Sequence, residues 1–174
     1  LTLNRQKTIK SDEFQGDIEL QEITLPQLKI IPNDLFADLS KLQTVKLTEA
    51  SIMLQGCFKN CALIESIELP GIKIIDGDSH FEGCSNLKTI DLSNLIGVNQ
   101  ESPNIFKDCI NLNELKLGVQ PPSTFHENIF AAKVPKISIP DEKYWRNYVK
   151  QSVVNEENNH YFWYGFDTGI EHNE

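Results

Sequence analysis

The chain has 174 residues, 40% hydrophobic and 24% charged, and 16 Lys plus Arg against 25 Asp plus Glu leave a formal charge of −9. That composition fits one soluble globular domain with a real core and excludes a disordered chain. The acidic balance argues against nucleic acid or an anionic membrane surface as partner, because phosphates attract Lys and Arg, and no apolar run of about 18 residues is present to insert into a bilayer.

Taken in chain order, the sequence opens on Leu1 and Leu3, without a Met and without a signal-peptide pattern, so an upstream segment is expected to have been removed. From Phe14 a repeat sets in. Residues 14–25 read FQGDIELQEITL, 36–47 FADLSKLQTVKL, 58–69 FKNCALIESIEL, 81–92 FEGCSNLKTIDL and 106–117 FKDCINLNELKL. The anchors Phe14, Phe36, Phe58, Phe81, Phe106 and Phe130 lie 22, 22, 23, 25 and 24 residues apart. A fixed period of this length is the mark of a repeat architecture in which each unit covers its neighbour. Leu1 and Leu3 fall where Ile23 and Leu25 fall one repeat later, and Ile137 and Ile139 take the same place in a degenerate last unit.

The alternation in I-x-L is that of a strand with one buried side. It predicts short strands at Ile23–Leu25, Val45–Leu47, Ile67–Leu69, Ile90–Leu92, Leu115–Leu117 and Ile137–Ile139. Strands so far apart cannot pair as hairpins and suit a stack of parallel strands. Pro26, Pro70 and Pro140 end three of them, since proline has no N–H to give a ladder. In F-x-x-C-x-x-L the apolar residues are three apart, which predicts a short helical or 3₁₀ turn before each strand. The phenylalanines are expected to stack as an interior ladder, each contributing roughly 1.5–3 kcal/mol by burial.

The motif F-x-x-C-x-x-L-x-x-I-x-L-P, over about residues 1–140, resembles the BspA-like leucine-rich repeat of bacterial surface and secreted proteins. Leu28, Ala50, Ile72, Leu95 and Gln120 stand where commoner leucine-rich repeats carry an Asn or Cys ladder, which sets this type apart. Asp17 and Leu39 replace the Cys and Ile64 a Leu. The resemblance implies an α/β right-handed solenoid over 1–140, with one short parallel strand plus a helical turn per 22–25-residue repeat, and an aromatic C-terminal cap over 141–174. It also implies a non-catalytic binding or adhesion module, located outside the cell or on its surface.

Cys61, Cys84 and Cys109 share one repeat position and Cys57 lies nearby. Equivalent side chains on stacked strands run side by side, roughly 5 Å apart, whereas a disulfide needs converging Cβ atoms about 3.8 Å apart. Free, buried thiols acting as small hydrophobes are expected. No metal and no cofactor is expected: Cys57 and Cys61 lack clustered His partners, and IDGDSHFE (75–82) misses the twelve-residue calcium frame. The four His are scattered, no nucleophile or phosphate-loop motif occurs, and an enzyme is not expected.

Between the buried strand residues lies an outward column, Thr2, Thr24, Lys46, Glu68, Asp91, Lys116 and Ser138, preceded by Glu22, Thr44, Ser66, Thr89, Glu114 and Lys136. Solenoids offer such a concave face to partners. Thr24, Thr44, Lys46, Ser66, Glu68, Thr89, Asp91, Glu114 and Lys116 are therefore the candidate ligand-binding residues, for an extracellular or host protein. The face has no aromatic side chain, which favours a wet, weak contact over a tight one.

Past Pro140 the composition changes. Eight of the fifteen aromatics lie in the last 34 residues, with both Trp. Tyr144, Trp145 and Tyr148 fall on one face of a short helix that Asp141 and Glu142 begin, and HYFWYGF (160–166) reads as a strand or hairpin arm. The first reading of this segment is a cap over the open end of the stack. The alternative is a carbohydrate-binding platform made of Tyr144, Trp145, Tyr148 and Trp163. The acidic tail FDTGIEHNE is expected to fray, and a monomer is expected.

Overall fold

The computed structural model describes residues 1–99, 104–119, 122, 136–139, 145, 154–155, 160–163 and 166–171. Each repeat winds once around the core. The I-x-L strands β1 (Glu22–Thr24), β3 (Thr44–Lys46), β5 (Ser66–Glu68), β7 (Thr89–Leu92), β9 (Glu114–Leu117) and β10 (Lys136–Ser138) form one parallel six-stranded sheet in that order. Thr2 adds a bridge to Thr24 at its start. The paired residues are those of equal repeat position, for example Ile67 with Ile90 and Leu115 with Ile137.

A second sheet lies between those strands in sequence. Here β2 (Ile30–Ile31), β4 (Ile52–Met53), β6 (Ile74–Asp76) and β8 (Gly97–Asn99) pair in parallel, in that order. The remaining side of each coil is a run of turns, also bonded from coil to coil. Phe36 N–H donates to the Cys57 carbonyl, Phe58 N–H to His80 and Phe81 N–H to Ile105, at 2.8–3.0 Å.

This corrects the expected fold class. The molecule is a parallel β-solenoid with two strands per coil, not an α/β repeat of strand plus helical turn, and among the described residues Trp145 alone is helical. The spacing of three in F-x-x-C-x-x-L comes from successive turns: Cys61 N–H donates to Phe58, and Ile64 N–H to Cys61. Between Phe and Cys the chain enters the left-handed region, at Gly16, Asp38, Asn60, Gly83 and Asp108. A second left-handed residue stands two before the Phe, at Asp34, Gly56, Ser79 and Asn104. A right-handed helix cannot pass through such a residue, and Gly, Asn and Asp are the types that accept it.

The core fills the space between the sheets and the turns. Phe14, Phe36, Phe58, Phe81 and Phe106 stack with ring centroids 5.0–6.0 Å apart and planes within 20° of parallel. Phe130 lies outside the described residues. The thiols are free and buried. Those of Cys61, Cys84 and Cys109 donate to the carbonyls of Phe36, Phe58 and Phe81 in the preceding coil, at 2.9–3.1 Å. The repeated cysteine is thus a small hydrophobe that also satisfies a buried carbonyl of the preceding coil.

At the C-terminal end β11 (Val154–Asn155), β12 (His160–Trp163) and β13 (Phe166–Glu171) form an antiparallel sheet, and β13 lies against β10. The hairpin expected from HYFWYGF is present. The acidic tail does not begin to fray at Phe166, because Phe166–Glu171 is the outer strand of that hairpin.

Candidate functional site

The outward columns of the six-stranded sheet are in register. Thr24 pairs with Lys46, Lys46 with Glu68, Glu68 with Asp91, Asp91 with Lys116, and Lys116 with Ser138. Beside that column run Thr44, Ser66, Thr89 and Glu114. Lys46, Ser66, Glu68 and Lys116 are exposed; Thr24, Thr44, Thr89, Asp91 and Glu114 are half-buried. All nine candidate residues therefore share one surface. Their inward neighbours Ile23, Val45, Ile67, Ile90 and Leu115 hold that surface to the core.

Opposite charges are neighbours on this surface, Lys46 with Glu68 and Asp91 with Lys116, but they close no ion pair among the described residues. Among the described residues the ion pairs are Lys41–Glu19, Lys88–Glu65, and Lys59 and Lys107 with Glu82, each joining neighbouring coils away from these columns. Asp91 is turned to its own chain, where its Oδ1 accepts from Ser93 N–H at 3.0 Å and from the Ser93 hydroxyl. Glu114 Oε1 accepts from the Ser138 hydroxyl at 2.6 Å. Lys46 and Lys116 are left without an ion-pair partner among the described residues.

Where the sheet ends lies a pocket of about 360 Å³ that includes Lys116, Leu117, Gly118, Val119 and Ile139. Gly118 is required there. A Cβ at that position would run into the Ser93 carbonyl of the neighbouring coil, and the Gly118 carbonyl accepts from Trp145 Nε1 at 3.0 Å. Trp145 itself is fully buried. Tyr144 and Tyr148 lie outside the described residues, as does the side chain of Trp163, which sits in β12. The pocket was not read from the sequence. Its only linear signal is the break from strand to Gly-Val after Leu117, and its shape depends on coils 22–25 residues apart in sequence.

The interior titratable groups are not built for chemistry. Burial pushes the Cys61 and Cys109 thiols up to about 12, and those of Cys57 and Cys84 up as well. A thiol held protonated is a poor nucleophile and a poor metal ligand. His80 is fully buried in the place that Leu35, Cys57 and Ile105 take in other coils, and neither ring nitrogen has a hydrogen-bond partner among the described residues. Burial lowers it to about 4, against weaker opposing effects of the Gly77 backbone, Asp78 and Asp76. Glu82 is held down to about 2, first by Lys107 and then by Ser79 and Lys59. No group of three His, Cys, Asp or Glu able to hold a metal ion occurs among the described residues, and no helix there is long and apolar enough to cross a membrane.

Comparison with known families decides the class. The model of the BspA type leucine-rich repeat region matches residues 7–142, in six copies. The chain belongs to the BspA-type leucine-rich repeat family. Its fold is similar to that in the crystal structure of a leucine-rich repeat protein from Bacteroides ovatus ATCC 8483, with a TM-score of 0.58 and 23% sequence identity. That likeness covers 74% of this chain and 38% of the other, so this chain spans well under half of that relative's length. No curated protein matches the chain. The BspA-type leucine-rich repeat family points to a repeat protein involved in protein binding.

Proposed function

We propose that this BspA-type chain is a non-catalytic adhesion or binding module of a bacterial surface or secreted protein. It recognises an extracellular protein through the outer face of the six-stranded sheet. The observation that supports this reading is the mixed-charge column Lys46, Glu68, Asp91 and Lys116 on one register-locked surface, in which neither lysine closes an ion pair among the described residues. Charges at the rim of a contact set on-rate and specificity more than raw affinity.

In this reading residues 141–174 cap the solenoid. The bond from Trp145 to Gly118 and the contact of β13 with β10 support that role. Trp145, one of the four residues of the carbohydrate reading, is buried, which favours the protein partner.

The test is direct binding to immobilised matrix proteins and glycans, at low and high salt. The expected result is a salt-sensitive protein ligand that is lost in Lys46→Glu/Lys116→Glu. A glycan ligand indifferent to salt and to that double substitution would overturn it.

A further inference from the structure

We propose that the outer face of the four-stranded sheet is a self-association surface, on which a second copy of this chain packs about a two-fold axis running along the stack of coils. The proposal is independent of what the six-stranded face binds.

The two sheets differ in what they turn to solvent. The outward column of the six-stranded sheet is polar, whereas that of the four-stranded sheet is Ile30, Ile52 and Ile74, paired in register from strand to strand. The inward neighbours Ile31, Met53 and Ile75 already fill the core there. Ile30 is 47% exposed, and Ile52 and Ile74 are half-buried. Pro32 and Leu54, also half-buried, stand two residues on and widen the strip. Single exposed apolar side chains are ordinary on a surface, but a contiguous strip of them marks a contact.

The charges beside the strip say what covers it. On the side where the strands begin stand Lys29 and Lys73, both exposed, with Ser51 in the coil between them. On the side where the strands end stand Asp34, in the coil of Lys29, and Asp76 and Asp78, in the coil of Lys73; the coil between has Gln55 and Gly56 there. None of these lysines and aspartates closes an ion pair among the described residues. A coil with a lysine at one border therefore has an aspartate at the other, and the coil without the lysine is without the aspartate.

That pattern is self-complementary. A two-fold axis along the stack sets each coil against the same coil of the second copy and reverses its strands. Lys29 then faces Asp34 of the second copy, Lys73 faces its Asp76 and Asp78, and the isoleucine column lies on its Pro32 and Leu54. Glu49, the one acid on the lysine side of these coils, faces the neutral Gln55. A two-fold axis along the strands would instead set Lys73 over Ser51 and Lys29 over Ile96 and would match no charge. Four strands at roughly 4.8 Å and five residues at roughly 3.3 Å give a face of about 300 Å². That is well under the roughly 800 Å² per partner of a standard complex. The pair is therefore weak and reversible, and the monomer expected from the sequence is the state of the dilute protein.

The test is sedimentation velocity of the whole chain from micromolar to millimolar concentration, at low and high salt. A dimer that grows with concentration and shrinks as salt is raised is expected. Ile52→Thr/Ile74→Thr keeps both side chains β-branched, so the strands remain, and should weaken pairing at least about tenfold. Lys73→Glu alone and Asp76→Lys/Asp78→Lys alone should each weaken it at least as much, because the axis repeats every like-charge contact twice. Mixed in equal amounts, those two variants should pair with each other as the unmodified chain pairs with itself. Circular dichroism of each variant checks the fold; if the double substitution unfolds, Asp78→Lys, outside the strand, takes its place.

A chain that stays monomeric at millimolar concentration would overturn the proposal and leave the strip to a different protein. So would a dimer that salt and the charge variants leave unchanged, or charge variants that do not pair when mixed. Lys46→Glu/Lys116→Glu, on the other sheet, should pair as the unmodified chain does; a loss there would move the contact to the six-stranded face and overturn the proposal as well.

Discussion

Two columns run through the same coils at the same spacing. The inner one is Phe14, Phe36, Phe58, Phe81 and Phe106, one residue type throughout, stacked and buried. The outer one is Thr24, Lys46, Glu68, Asp91, Lys116 and Ser138, a different chemistry at almost every step. Both are held to strand spacing by the backbone, yet only the inner one must fill a cavity of fixed shape. Repetition inside this chain therefore marks packing, and variation at an equally regular position marks what packing does not decide.

The largest effect belongs to the middle of the inner column. Phe81 is sandwiched between Phe58 and Phe106, so Phe81→Ala should destabilise by about 3–5 kcal/mol, read from urea unfolding. Phe14 has a ring on one side only within the described stack, and Phe14→Ala should cost clearly less. Equal losses at the two sites would mean that the stack does not act as a continuous ladder.

Next comes His80, the one polar side chain in the buried set among the described residues. Its neighbours in column are Cys57 and Ile105, and the charged groups facing it are Asp76 and Asp78 of its own coil. The unfolded imidazole takes a proton near 6.5 and the folded one near 4. Between those values the unfolded state binds more protons, so stability is full above pH 6.5 and falls as pH drops toward 4. The loss is up to about 3 kcal/mol. His80→Ile, which restores the apolar column, should remove that part of the pH dependence and stabilise the protein at pH 7. Unfolding midpoints of both proteins from pH 7 to pH 4 give the difference; parallel curves would show that the imidazole finds a partner in solution.

Much of this was legible in the sequence, and the limits have physical causes. The first sheet and its register follow from I-x-L, because alternation every two residues admits one inward set. The second sheet was missed because Ile30-Ile31, Ile52-Met53 and Ile74-Ile75 are too short to alternate, although their spacing of 22 was there to be read. The helical turn was the wrong inference from the right spacing. The residue between Phe and Cys, Gly16, Asp38, Asn60, Gly83 or Asp108, carried the correction, since those types gather where φ is positive. The pocket beside Lys116 needed three dimensions, because Ser93 and Ile139 meet only when their coils stack.

That correction has its own test. Asp108 is exposed and holds φ at 61°. Asp108→Ala and Asp108→Gly remove the same charge, so their difference isolates the backbone. The alanine variant should be less stable by about 1–2 kcal/mol. Equal stabilities would mean that the turn can relax out of the left-handed region and is open to a helical conformation.

The smallest effect falls on the outer column, and its smallness is the point. Lys46→Gln/Lys116→Gln removes two charges that no ion pair among the described residues uses. The unfolding midpoint should then move by no more than about 0.5 kcal/mol. A loss well beyond that would place these lysines among the residues that hold the stack together, and the variety of their column would need another explanation. If stability is unchanged while a partner's binding falls, the two columns separate cleanly. The inner one then accounts for the fold, and the outer one, carried at the same spacing by the same coils, accounts for what the fold presents.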